Sequence, residues 1–210
     1  MKQTLLFSAL LLSLTACQDT NTQAIDESTA SAPKSSTTIE ADNTASNASG
    51  NYNQAIHYEN FSARVVSTPD GNGSYNLSIQ PMGEQAIERH INDPVIDAAV
   101  GDLNEDGSYD ILIFTRGVGS GSYGDVVAYS SNEGQSWNEV HFPELSSELK
   151  QGYMGHDKFE VVDNVLVRQF PLYLEGDTNA NPKGKTRQIQ YDLQEGGASR
   201  QFVVSEVNEL

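Results

Sequence analysis

The sequence predicts an all-β protein: a single compact antiparallel β-sandwich or barrel-like domain with one short helix. Three observations carry that expectation. From Ile56 onward, apolar and polar residues alternate at period two, the pattern of half-buried strands. Clusters such as Pro69-Asp-Gly71-Asn-Gly73 and Pro81-Met-Gly-Glu break the alternation at short intervals, and each supplies the backbone conformations a tight turn needs. The connections are too short for crossover helices, so successive strands must pair as antiparallel hairpins. About 155 residues in this pattern suffice for one core.

The elements follow in order. Ile56, Tyr58, Phe61, Ala63 and Val65 mark a first strand with an irregularity near Asn60. Ser74–Gln80 and Ala86–Ile91 follow, and Asp93-Pro94 breaks the chain before Val95. Ile111–Thr115 is apolar at every position but its last, a run short enough for one buried strand. Asp125–Ser130 and Ser136–Phe142 come next, the latter holding the single Trp137. Pro143–Gln151 reads as the one helix, with proline at its start. Phe159–Val162, Val165–Leu174, Arg187–Leu193 and Gln201–Val207 complete roughly ten strands. No repeat of 20–50 residues is visible, so a propeller, which needs at least four blades, is not expected.

Residues 1–16 read as a lipoprotein signal peptide. Lys2 is followed by the apolar run Leu5–Leu14, too short to span a bilayer as a helix. Leu14-Thr-Ala-Cys17 then has the form of a bacterial lipobox, and Cys17 is the only cysteine. Acylation there implies a lipid-anchored envelope protein. Gln18 in place of an inner-membrane retention Asp points to the outer membrane, facing the periplasm. Cleavage removes one lysine and no acid, so the formal charge goes from −17 to −18. Residues 17–54 hold the acylated cysteine and a Ser/Thr/Asn-rich tether that lacks the apolar surface to offset its ordering entropy. As a flexible coil it would reach roughly 35 Å. The folded domain is expected over 55–210.

Two stretches carry candidate chemistry. Asp102, Asn104, Asp106 and Asp110 place side-chain oxygens at positions 1, 3, 5 and 9 of an acidic turn, with the Ser108 carbonyl at 7 and Gly107 at the bend. That spacing suits calcium, although position 12 is Ile113 instead of the glutamate an EF-hand requires. A polar turn that bonds its own backbone explains the same residues. Beyond the following strand lies Gly117-Val-Gly-Ser120-Gly121-Ser-Tyr123-Gly124, a glycine-rich loop with one aromatic ring. Such a loop could enter another protein's cleft, line a cleft of its own, or fold back on its sheet.

The order of acidic turn, apolar strand and S-G-x-Y loop resembles the periplasmic inhibitors of i-type (invertebrate) lysozyme. The likeness extends less specifically from about Ile56 to the C-terminus, through Phe170–Asn179 and Arg187–Tyr191. It implies a compact antiparallel β fold, no required metal, and a loop that occludes the lysozyme active-site cleft. The corresponding residues are Ser120, Gly121 and Tyr123. It also admits a homodimer. The tether, the anchor and the insertions after Trp137 depart from the family pattern.

Composition narrows the function classes. With 29 acids against 12 bases, the surface repels phosphates, which argues against nucleic acid. His57, His90, His141 and His156 are scattered without zinc-ligand spacing, and there is no G-x-S-x-G elbow. A non-enzymatic role is expected: a lysozyme inhibitor that protects peptidoglycan, with the acidic surface steering it toward a basic target. The alternative is a calcium-stabilised envelope binding lipoprotein without inhibitory activity.

Overall fold

Period-two alternation sorts side chains to opposite faces of each strand. In the computed structural model, which describes residues 50–132, 136–197 and 199–210, that sorting builds twelve strands. A first sheet contains β1 (Tyr52–Tyr58), β2 (Phe61–Pro69), β3 (Tyr75–Pro81) and β4 (Ile87–Ile91). A second contains β5 (Val95–Gly101), β6 (Asp110–Arg116), β7 (Gly124–Ser131) and β8 (Trp137–Val140). A third contains β9 (Lys158–Val162), β10 (Val165–Pro171), β11 (Thr186–Gln194) and β12 (Gln201–Glu209). Among the described residues every pairing of two strands is antiparallel and joins consecutive strands, so each sheet is a four-stranded meander.

The all-β expectation holds, with a middle layer added to the sandwich. Ala98, Val100, Ile111 and Ile113 of the second sheet pack with Val65, Leu77 and Ile79 of the first. Their neighbours Ala99, Leu112, Phe114, Val126 and Ala128 point the other way, into a core with Leu166, Phe170, Ile189 and Tyr191 of the third. The second sheet is therefore buried on both faces. This is why Ile111 to Phe114 can be apolar at four successive positions, each contributing roughly 1.5–3 kcal/mol by burial.

Several expectations need correction. The irregularity near Asn60 is a hairpin turn, with Glu59 in the left-handed region at φ 50°, and it divides two strands. β5 had no assigned range, because Val-Ile-Asp-Ala-Ala-Val-Gly does not alternate and carries a bulge between Val95 and Asp97. β1 starts at Tyr52, inside the stretch assigned to the tether. Pro143–Gln151 is not a helix. Its one i→i−4 bond runs from Lys150 N to Ser146 O at 2.9 Å, and a nine-residue segment gains too little from propensity to nucleate without packing. Buried Leu145 anchors it as extended chain followed by turns. The repeat that the sequence conceals is one of topology: three consecutive four-stranded meanders. The signal peptide, Cys17 and the tether up to residue 49 lie outside the described residues.

Candidate functional site

The S-G-x-Y loop joins β6 to β7. Its neck closes where Gly117 N donates to Tyr123 O at 2.8 Å, and an inner turn where Ser122 N donates to Gly119 O at 2.9 Å. Ser122 takes φ 44°. The tip is open to solvent: Ser120 is exposed, Val118 is 86% exposed and Tyr123 54%. Neither the Ser120 hydroxyl nor the Tyr123 phenol bonds to any described residue, so both are available to a partner.

The backbone beneath that tip is fixed from outside the hairpin. His156 N donates to Gly121 O at 2.7 Å, and Asn179 Nδ2 donates to Ser120 O. Two glycines make this approach possible. A Cβ on Gly121 would lie 2.3 Å from Tyr123 Cε2, since the ring folds over that residue. At Gly155, φ is +92° and a Cβ would sit 1.9 Å from Gly121 O. The Tyr123 ring also meets the edge of Tyr153, with centroids 5.6 Å apart.

Below the loop is a buried charged pair. Arg168 Nε donates to Asp157 Oδ1 at 2.7 Å, and Tyr153 OH donates to Asp157 Oδ2 at 2.5 Å. The same Oδ2 accepts from Gly124 N at 2.8 Å, which ties the carboxylate to the end of the loop. Arg168 Nη2 reaches Tyr153 OH at 3.0 Å, and Arg116 Nη2 donates to Asp157 O at 3.3 Å. The rings of Tyr153, Phe159, Phe170 and Phe142 surround the Arg168 guanidinium at 5.3–5.9 Å. Burial first, and then the Asp157 carboxylate, push the Tyr153 phenol above its ordinary value, so it stays protonated and donates. A buried ion pair persists only when its remaining valences are met in this way.

The acidic turn stands at the other end of β6. Asp102 accepts from Asp106 N at 3.0 Å and Gly107 N at 2.9 Å. Asp106 accepts from Ser108 N at 2.7 Å and Asn104 Nδ2 at 2.9 Å, and pairs with Arg200 Nη2 at 2.5 Å. Asp110 accepts from Leu103 N at 2.8 Å and from the Ser130 hydroxyl. Burial pushes Asp110 up to about 6, against those two bonds. At Asp106 partial burial acts upward, yet the bonds from Asn104 and Ser108 and the charge of Arg200 hold it below its ordinary value. The five residues thus share one turn, with most of their oxygens committed to backbone amides and to Arg200. Asn104 Oδ1 is the exception, buried without a hydrogen-bond partner. Among the described residues, no group of three or more His, Cys, Asp or Glu side chains is placed to hold a metal ion.

Sequence reading found the tip and missed its brace. Tyr153, Gly155, His156, Asp157 and Arg168 carry no motif; what unites them is burial and contact across 15 positions of sequence. The Phe170–Asn179 stretch was singled out, and Asn179 does reach the loop while Tyr173 OH donates to Asn179 O at 2.9 Å. In the Arg187–Tyr191 stretch, Tyr191 is core, and Arg187 ties Leu149 O to the third sheet and pairs with Glu209 on the neighbouring strand. Beside the brace, between the third sheet and the 174–185 loop, is an open cavity of about 370 Å³ that includes His156 and Asn179 in its wall. No protein-family model, no curated protein and no solved structure matches the chain.

Proposed function

We propose that this protein inhibits lysozyme, with the i-type enzyme as its target, by inserting the Ser120–Tyr123 loop into the catalytic cleft. The observation that supports this most is the pairing of two unbonded hydroxyls with a braced backbone. A cleft of this kind carries two carboxyl groups, and Ser120 Oγ or Tyr123 OH can donate a short charge-assisted bond to such a group. A loop already held by His156, Asn179 and Asp157 loses little freedom on insertion, which removes part of the usual ordering penalty of binding. Blocking the cleft requires no chemistry by this chain. Acylated Cys17 and the tether would hold the inhibitor at the outer membrane, and the formal charge of −18 left after cleavage would steer it toward a basic enzyme.

Lysis assays with c-, g- and i-type lysozymes test the reading. Inhibition of the i-type enzyme at stoichiometric protein is the expected result. Failure against all three would remove it. A second reading, a calcium-stabilised binding lipoprotein, draws on the unpartnered Asn104 Oδ1 at the third position of the acidic turn. The ion pair between Arg200 and Asp106 already supplies a cation there, which favours the first reading.

A further inference from the structure

The cavity beside the brace has a chemistry of its own, independent of what the loop does. Its floor is the face of the third sheet that points away from the second. Arg168 and Phe170 point inward, so Gln169 and Pro171 point outward on the same strand. Their cross-strand partners are Lys158 for Gln169 and Thr186 for Pro171. Those four side chains therefore share one patch. Pro182 and Ala180 wall it on the loop side, and His156 and Asn179 on the side of the brace.

Three features of this patch bear on a ligand. First, the Lys158 ammonium has no ion pair, and neither the Gln169 amide nor the Thr186 hydroxyl has a hydrogen-bond partner, among the described residues. Second, among the described residues no carboxylate lines the cavity, although the chain has 29 acids and 12 bases; Lys158 is thus the one charged side chain in its lining apart from His156 when protonated. Third, Pro171, Pro182 and Ala180 offer small apolar surfaces between the polar groups. A lone carboxylate needs one cation. An amide and a hydroxyl beside that cation, with apolar surface between them, suit a ring whose edge bears hydroxyls and whose face does not.

We propose that this cavity binds a carboxylate-bearing pyranose, with Lys158 on the carboxylate, Gln169 and Thr186 on ring hydroxyls, and the proline surfaces against the ring face. Its volume of about 370 Å³ is at the small end of ligand sites and has room for one ring. Two sources share the chemistry: hexuronic acids, with the carboxylate on the ring, and lactyl-substituted amino sugars, with it on a side arm. A bound ring would touch His156 and Asn179, which pin the backbone of Gly121 and Ser120, so its signature should extend to the loop.

The test is an NMR titration of the purified protein with galacturonate, N-acetylmuramic acid, galactose and acetate. At least one of the two acids should bind with a Kd on the order of a millimolar, shifting resonances of Lys158, Gln169, Thr186 and Asn179; the tighter acid identifies the source. Galactose and acetate should bind at least about tenfold more weakly, and Lys158→Gln should weaken the acid by at least about tenfold. Thr186→Val, which keeps the shape of the side chain, should weaken it severalfold. Melting curves confirm that both surface variants fold. The proposal is overturned if neither acid shifts these resonances, if acetate binds as tightly as the sugar acids, or if Lys158→Gln binds them unchanged.

Discussion

The two loops at the ends of β6 use similar residues to opposite effect. At the N-terminal end, Asp102, Asp106 and Asp110 turn their oxygens onto Asp106 N, Gly107 N, Ser108 N and Leu103 N, and Arg200 closes the set. At the C-terminal end, Ser120 and Tyr123 keep their hydroxyls free, and the backbone is held by groups from other segments: His156, Asn179 and Asp157. The first loop spends its own carboxylates on its own backbone, with Arg200 and Ser130 added from other segments. The second is stabilised from outside, and so can present its side chains to something else. A polar loop held from without, with its own polar tips unspent, is the arrangement expected of a binding element.

The comparison breaks most forcefully at Asp157. Asp157→Ala leaves the Arg168 guanidinium buried without its partner, and loss of one member of such a pair costs about 3–5 kcal/mol. A melting curve should show a large fall, with inhibition lost in step. If stability is unchanged, the brace has been misassigned.

The opposite end of β6 should respond to pH instead. Asp110 is raised to about 6 from an ordinary value of 3.8, so the folded state holds its proton more tightly than the unfolded chain does. Its contribution to stability is then fully present below about pH 4 and is lost as pH rises to about 6, by up to about 3 kcal/mol. Asp110→Asn cannot titrate, and its amide can still accept from Leu103 N. Denaturant unfolding of the variant should lack this part of the pH slope; an identical slope in both proteins would remove Asp110 as its source.

These first two effects show why the sequence disclosed some of the molecule and hid the rest. Ile111–Phe114 announced a buried strand because four apolar residues in succession have nowhere else to go. The S-G-x-Y tip was visible because glycine, serine and one tyrosine between two strands are conspicuous in a local window. Asp157 and Arg168 were not, since a charged residue reads as surface until its partner is known, and here the partner lies 11 positions away across the β9–β10 hairpin. The bounds of β5 were hidden for a related reason. With both faces of its sheet covered and a bulge at its start, Val95–Gly101 has no alternation to detect.

Smaller perturbations sharpen the contrast. Gly155→Ala places a methyl group against Gly121 O and forces an alanine into φ +92°, a strain of about 1–3 kcal/mol. The protein should remain folded while inhibition falls, because relief of the clash moves the loop off its seat. Full inhibition by a folded Gly155→Ala protein would show that the loop needs no external support. Smallest of all is calcium. If the acidic turn takes the ion with the weak affinity of extracellular modules, millimolar calcium should add on the order of 1 kcal/mol or less to stability, and Asp106→Ala should abolish that increment. Thermal melts with and without calcium decide it, and an unchanged wild-type melt leaves the turn to Arg200 alone.

The central claim is that the free hydroxyls and ring of the braced loop make the inhibitory contact. An i-type lysozyme lysis assay with wild type, Tyr123→Ala and Ser120→Ala, each checked by a melting curve, tests it most directly. A buried aromatic anchor contributes about 2 kcal/mol or more, so Tyr123→Ala should weaken inhibition about thirtyfold. Ser120→Ala should weaken it less, by about 1 kcal/mol or more if a buried carboxylate loses its donor. The two losses together should not simply add, because both residues serve one insertion event. Melting temperatures should barely move, since both side chains are exposed. Wild-type inhibition that persists undiminished in both folded variants would contradict the claim and place the inhibitory surface elsewhere on the molecule.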